Sequence, residues 1–108
     1  MAMVSRFDVY LVNLDRQPSR DAKNTRPCVI VSPDEMNAYV GHVTVAPISA
    51  SGTDHPTRIP VELLNSPRSI VLDQLMTVDR ERLVKRIAHL DAPEQKAVLD
   101  RLQEFFAP

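Results

Sequence analysis

The hydrophobic positions of the chain follow a strand-like pattern over most of its length. β-Branched and aromatic residues fill 7–14, with apolar side chains at both parities, which predicts a strand that is buried on both faces. The apolar run at 27–32 predicts a second strand, which Pro33 ends. In 42–48, Val43 and Val45 alternate with polar residues, which predicts a strand with one buried face. The remaining predicted elements are strands at 58–63, 69–72 and 84–89, a turn at 65–68, and helical turns at 33–39 and 79–83.

The end of the chain changes to a helical period. Asp91 can cap a helix, Glu94 three residues later can reach back to it, and Pro93 is tolerated in the first turn. An apolar stripe at helical spacing follows, formed by Val98, Leu99, Leu102, Phe105 and Phe106. The predicted fold class is mostly β with α additions, a curled sheet or small barrel on which one terminal helix packs.

Length and charge narrow the class of protein. The 108 residues are enough for one domain and too few for two, so 1–108 is predicted to be a single domain. A formal net charge of -1 excludes a uniformly basic nucleic-acid coat but leaves room for a local basic site. The single cysteine excludes an internal disulfide, and no stretch approaches the roughly 18 apolar residues of a membrane span. A cytoplasmic protein that does not contact membranes is expected.

Metal chemistry and cysteine chemistry find little support in the sequence. His42, His55 and His89 lack metal-ligand spacing, and two glycines cannot form a phosphate-binding loop. Cys28 lies in an apolar run, where burial raises the pKa of a thiol, so a structural role is favoured over nucleophilic catalysis. His89, on an alternating strand, is interpreted as a structural histidine. No metal and no cofactor are therefore expected.

Positive charge is concentrated in and beside a long loop predicted at 15–25. Charge alone indicates a solvated loop, but Arg26 differs, because Pro27 restricts its backbone to extended conformations where a buried strand begins. A guanidinium fixed there could stabilise charge on a phosphate, whereas the structural alternative is an ion pair, for instance with Asp73. A second basic stretch at 80–86 is interpreted as an exposed face. The cations in the first segment are Arg16, Arg20, Lys23 and Arg26, against Asp15 and Asp21.

Four segments together resemble one family of small bacterial proteins. In their order, and over nearly the whole chain, they are similar to the MazF/PemK toxin endoribonucleases of type II toxin–antitoxin systems. The resemblance implies a small SH3-like barrel of the CcdB/PemK type with a C-terminal helix. The segments are FDVYLVNLD at 7–15, KNTRPCVIVSPDEMN at 23–37, VTVAPIS at 43–49 and VLDQLMTVDRERLVKRIAHLD at 71–91.

The resemblance also implies an activity and partners. Members of this family are homodimers that cleave single-stranded RNA, including mRNA, at selected sequences without a metal ion, and thereby inhibit translation and growth. The RNA's own 2′-hydroxyl is the nucleophile, and the products carry a cyclic phosphate and a free 5′-hydroxyl. The expected partners are the RNA substrate and a cognate antitoxin whose disordered acidic tail folds along the toxin surface.

Residue by residue, the resemblance implies a candidate site. Arg26 matches the family's essential arginine, and its expected role is to hold the phosphate and stabilise added negative charge. Ser49 falls where members usually have threonine and keeps the hydroxyl, and Asp73 matches an acidic position that serves as base or positions the arginine. Phe7 and Met76 depart from the family, which commonly has glycine and arginine there. Contacts to RNA are expected from Arg16, Gln17, Ser19, Arg20, Lys23 and Gln74.

Two other functions stay open at this point. A non-catalytic toxin of the same fold could bind a protein target such as DNA gyrase, since a fold alone does not define function. Such a toxin has no need of Arg26 and Ser49 together. A ligand-binding SH3-like module is a third interpretation, although only Tyr10 and Tyr39 are available for an aromatic groove.

Overall fold

The protein consists of short strands joined by tight turns, with one longer helix at the end. The computed structural model describes residues 3–14, 24–39, 41–50 and 56–108. Two 3₁₀ turns, Leu72–Gln74 and Arg80–Arg82, lie on either side of the sixth strand. The strands and helices of the described residues are β1 (Asp8–Asn13), β2 (Thr25–Ile30), α1 (Asp34–Tyr39), β3 (His42–Ser49), β4 (Arg58–Leu63), β5 (Ser66–Val71), β6 (Met76–Asp79), β7 (Leu83–His89) and α2 (Ala92–Phe106).

The strands form one antiparallel sheet that curls around β3. The sheet order is β4-β5-β3-β2-β1-β7, and β6 also pairs with β3. Ile48 and Ser49 of β3 pair with β5, whereas the segment 42–45 pairs with β6. Because β5 and β6 follow one another along the same edge, the turn Leu72–Gln74 between them runs beside the middle of β3. The predicted fold class, a mostly β protein with a curled sheet and a C-terminal helix, is confirmed.

Two apolar clusters lie on opposite faces of this sheet. Neighbouring residues on a strand point to opposite faces. On β2, Cys28 and Ile30 therefore belong to one cluster and Val29 to the other, and all three are fully buried. The larger cluster lies between the sheet and α2, whose Val98 is fully buried. This double burial explains why 27–32 is apolar at both parities.

The C-terminal helix begins where the sequence predicts. The Asp91 carboxylate accepts a hydrogen bond from the backbone N–H of Glu94 at 2.8 Å, and the Glu94 carboxylate accepts one from the backbone N–H of Asp91 at 3.0 Å. The predicted capping box is therefore confirmed. At the far end, Phe105 and Phe106 remain exposed, with ring centroids 4.9 Å apart. Among the described residues, no helix is long and apolar enough to cross a membrane.

The structure departs from the sequence prediction in the β4–β5 hairpin and just after it. The predicted turn at 65–68 is wrong: the turn is the dipeptide Leu64–Asn65, whose φ angles are 51° and 65°. A two-residue turn with both φ angles positive matches the twist of a hairpin, so β5 already begins at Ser66 and includes Pro67. β6 was not predicted, because only Val78 of its four residues is buried and no hydrophobic alternation results.

Phe7 adopts a left-handed backbone conformation with a φ of 75°. Its N–H donates to the Ile30 carbonyl at 2.7 Å, and its own carbonyl accepts from the Leu90 N–H at 3.0 Å. Such a φ favours glycine, which is the residue that the resembled family commonly has at this position. Here the ring is buried in the larger cluster, and this burial offsets a backbone strain of about 1–2 kcal/mol.

Candidate functional site

Arg26 lies at the open end of the smaller apolar cluster. It shares a face of β2 with Cys28 and Ile30, which are fully buried, whereas Arg26 itself is exposed. Its neighbour across β1 is Val12, a residue of the same cluster. Among the described residues no ion pair joins Arg26 to Asp73, so the structural alternative weighed from the sequence finds no support there. The guanidinium is attached to a rigid strand but reaches solvent.

Ser49 lies at the end of the strand that neighbours the strand of Arg26. β2 and β3 pair Cys28 with Pro47 and Ile30 with Val45. Arg26 stands two residues before the first of these pairs on β2, and Ser49 two residues after it on β3. Because the two strands are antiparallel, both residues lie at the same end of this strand pair. Ser49 also pairs with Ser69 of β5.

Asp73 and Gln74 are carried by the 3₁₀ turn beside β3, and both are exposed. The chain from Ser69 to Met76 follows the edge of β3, since Ser69 pairs with Ser49 and Met76 pairs with Val45. The turn with Asp73 and Gln74 therefore lies one strand away from β2, along the half of β3 that ends at Ser49. The carboxylate of Asp73 accepts a hydrogen bond from the Thr57 hydroxyl at 2.9 Å.

The remaining predicted RNA contacts belong to the segment between β1 and β2. All five lie outside the described residues. At the base of this segment, the Leu14 N–H donates to the Asn24 carbonyl at 3.2 Å, and Asn13 pairs with Thr25. The segment thus begins and ends within two residues of Arg26 along the sheet. The five predicted contacts outside the described residues are Arg16, Gln17, Ser19, Arg20 and Lys23.

The interpretation of Cys28 is confirmed. Its side chain is fully buried, and burial raises the pKa of the thiol to about 12, against a smaller opposing effect of the Arg26 charge. The thiol is therefore protonated at neutral pH and unsuited to nucleophilic attack.

His89 is also structural, as the sequence indicated. Its Nδ1–H donates to Asp8 Oδ1 at 2.7 Å, and its Nε2 lies 3.3 Å from the Gln95 amide. Asp8 is 1% exposed and also accepts the Ser5 N–H at 3.0 Å. This group lies at the opposite end of β1 from Arg26.

Thr57 is a residue of the site that the sequence analysis missed. Thr57 falls outside the strands that the sequence predicts, and nothing in the local pattern connects it to Asp73, sixteen residues away. The signal that could have found it is the register of the β4–β5 hairpin. With the turn at Leu64–Asn65, that register brings Thr57 opposite Leu72, the residue before Asp73.

Comparison with known proteins agrees with this fold. Residues 5–106 match the family of PemK-like, MazF-like toxins of type II toxin–antitoxin systems. Endoribonuclease MazF of Staphylococcus saprophyticus is 31% identical over 102 residues, which cover 89% of this chain and 85% of that protein.

Solved structures share the fold at lower identity. A MazE–MazF structure from Deinococcus radiodurans has a TM-score of 0.81 at 17% identity and covers 99% of this chain and 98% of that chain. An endoribonuclease in complex with its cognate antitoxin, from a mycobacterial species, has a TM-score of 0.77 at 17% identity and covers 96% and 93%.

The curled antiparallel sheet with a C-terminal helix is thus the fold of a class of small toxins. The chain belongs to the PemK-like, MazF-like family of type II toxin–antitoxin systems. The resemblance found in the sequence is confirmed.

Proposed function

We propose that this toxin cleaves single-stranded RNA at selected sequences, without a metal ion, by attack of the substrate's own 2′-hydroxyl on the adjacent phosphate. The protein is a toxin endoribonuclease by its family and by its curated relative. The course of the reaction and the residues that carry it are the proposal. Cleavage of mRNA in this way inhibits translation and growth.

The arrangement that supports the proposal is Arg26 near the start of β2 and Ser49 at the end of β3, the same end of two neighbouring strands. Arginine stays protonated at neutral pH, so Arg26 acts as a cation and hydrogen-bond donor rather than as a base. Its planar guanidinium can hold two phosphate oxygens at once and stabilise the negative charge that the pentavalent phosphorane gains. The Ser49 hydroxyl donates to the phosphate or orients the 2′-hydroxyl.

The bond changes of the reaction assign a role to Asp73. The 2′-oxygen forms a bond to phosphorus, the bond from phosphorus to the 5′-oxygen breaks, and the leaving 5′-oxygen takes a proton from water. The proton of the 2′-hydroxyl goes to a base, for which the exposed Asp73 carboxylate beside β3 is the proposed group. Gln74, next to it, contacts the RNA backbone. The substrate supplies the nucleophile, so the protein supplies orientation, proton transfer and charge stabilisation.

Substrate binding extends in this proposal over the segment between β1 and β2. Cationic side chains bind phosphates and position a nucleic acid, whereas polar side chains can contact bases. The residues on either side of this segment, Leu14 and Asn24, lie close to Arg26 along the sheet. Its proposed contacts are Arg16, Gln17, Ser19, Arg20 and Lys23.

The proposed partners, besides RNA, are an antitoxin and a second copy of the chain. In a toxin–antitoxin family the expected inhibitor is the cognate antitoxin, whose disordered acidic tail folds along the toxin surface. Exposed apolar surface at the end of α2 supports a homodimer: Phe106 is 69% exposed and borders a groove that Met36, Leu75 and Leu102 also line. The toxin domain spans 1–108, and cytoplasmic mRNA is its target.

The test is RNA cleavage by the purified protein in excess chelator, with analysis of the fragment ends. We expect fragments whose 5′ ends accept phosphate from a kinase directly and whose 3′ ends resist phosphatase until acid opens the cyclic phosphate. Cleavage that stops in chelator and returns with a divalent cation contradicts the proposed chemistry. Intact RNA at enzyme excess, with a folded protein by circular dichroism, contradicts the proposed function itself.

A further inference from the structure

The turn that carries Asp73 is held by Thr57 through two hydrogen bonds. Thr57 directly precedes β4, whose register pairs Arg58 with Val71. One position further, the Leu72 N–H donates to the Thr57 carbonyl at 3.0 Å, which extends the ladder of the hairpin. The Thr57 hydroxyl then reaches the next residue and donates to Asp73 Oδ1 at 2.9 Å. One residue thus fixes both the backbone of the turn and the carboxylate on it.

We propose that Thr57 is a positioning residue for RNA cleavage, which orients the Asp73 carboxylate toward the reacting 2′-hydroxyl. This inference rests on the proposed function, in which Asp73 accepts the proton of that hydroxyl. A general base acts only when its oxygen is within hydrogen-bond reach of the proton and points toward it. A hydrogen bond to one carboxylate oxygen limits rotation of the group and directs the other oxygen.

The residues just before Asp73 are held more rigidly than Asp73 itself. Ile70 and Leu72 are fully buried and Val71 is 1% exposed, so the end of β5 is anchored in the core. Asp73, the next residue, is exposed, and the 3₁₀ turn has no side-chain cap at its start. An exposed aspartate on a turn samples several rotamers unless a neighbour holds it. Threonine suits this task, because its β-branched side chain restricts the first torsion and fixes the direction of the hydroxyl.

The experiment compares two substitutions that differ in the hydroxyl. Thr57→Val removes the donor at nearly constant volume, and Thr57→Ser keeps it. We expect T57V to lower kcat about tenfold, as for a lost hydrogen bond to a charged group, with KM for a short RNA substrate changed less than twofold. T57S should cleave within twofold of the parent. Thr77→Val, the same change at an exposed threonine of β6, serves as the matched control and should leave kcat unchanged.

A second background tests whether Thr57 acts through Asp73. In a chain that carries Asp73→Asn, the further change T57V should lower the rate less than twofold, because substitutions of residues that act as one unit do not have additive effects. A tenfold loss in that background contradicts the inference, and so does a T57S variant as slow as T57V.

The inference and the proposed function fail in different ways. If D73N cleaves as fast as the parent, then Asp73 is not the base and the proposed function is wrong at this residue. If D73N is slow but T57V matches the parent, the role of Asp73 stands and the positioning role of Thr57 is refuted.

Discussion

Two charged groups lie at opposite ends of β1, and they differ in burial and in their partners. At one end, the buried carboxylate of Asp8 accepts hydrogen bonds from the Ser5 backbone and from His89. At the other end, across from Val12, Arg26 is exposed and forms no ion pair with another described residue. Four strand residues, or about 13 Å, separate the two groups along β1.

The difference follows from the cost of burial. A buried charge is stable only when paired and hydrogen-bonded, so the Asp8 group is satisfied by the protein and has little capacity left for a ligand. An exposed guanidinium on a rigid strand is solvated in the free protein and can exchange water for phosphate. Residue type alone does not determine whether an arginine is available to bind phosphate. Arg86 lies 3.5 Å from Asp8 and belongs to the structural group.

The largest expected effect comes from substitution of Arg26, the exposed arginine of this comparison. Arg26→Ala should lower the rate of RNA cleavage by at least about a hundredfold, because preorganised charge stabilisation of the transition state is lost. The free energy of unfolding should change by less than about 0.5 kcal/mol, since Arg26 is exposed. Single-turnover cleavage and urea denaturation measure the two quantities.

The matched control is Arg86→Ala, because Arg86 has a side chain that is 62% exposed and an ion pair of low expected strength. This variant should cleave at the parent rate. If R86A is as slow as R26A, both arginines contact RNA and the two ends of β1 are not functionally distinct.

The position of Arg26 at the start of a buried strand could be predicted from the sequence, because the signals for it are local. Pro27 fixes the backbone before it, and the apolar run that follows marks the strand that it opens. The capping box of Asp91 and Glu94 is local as well, as two residues three positions apart specify it. A link between Arg26 and Ser49 is not local, because the two residues lie on different strands, 23 positions apart. In the sequence, only resemblance to a family suggested that link.

The parts that the sequence did not reveal depend on long-range contacts. Asp8 stands in a strand-like run, but its partner His89 lies 81 residues away. Thr57 reaches Asp73 only because the hairpin turn falls at Leu64–Asn65, whereas the sequence favoured the proline-containing stretch that follows. A shift of the turn changes the register of the hairpin, so such contacts cannot be derived before the turn is known.

A smaller effect, on stability rather than on catalysis, is expected from Asp8. Asp8→Ala leaves the Ser5 N–H and the His89 ring without their acceptor and should lower the free energy of unfolding by about 2 kcal/mol. Asp8→Asn keeps an acceptor oxygen and should lower it less. Urea denaturation measures both, and RNA cleavage per folded molecule should stay at the parent rate. A D8A variant that is stable but slow would assign Asp8 to the reaction instead.

The smallest expected effect distinguishes two serines that pair across β3 and β5. Ser49 is partly exposed at the end of β3, whereas its partner Ser69 is 3% exposed. Ser49→Ala should slow cleavage about tenfold, as one hydrogen bond near the phosphate is lost, and Ser49→Thr should keep the rate because it keeps the hydroxyl. Ser69→Ala should cleave within twofold of the parent, since a buried hydroxyl cannot reach RNA. If S69A were as slow as S49A, the loss would come from altered packing between the strands, and the role of the Ser49 hydroxyl in the reaction would be refuted.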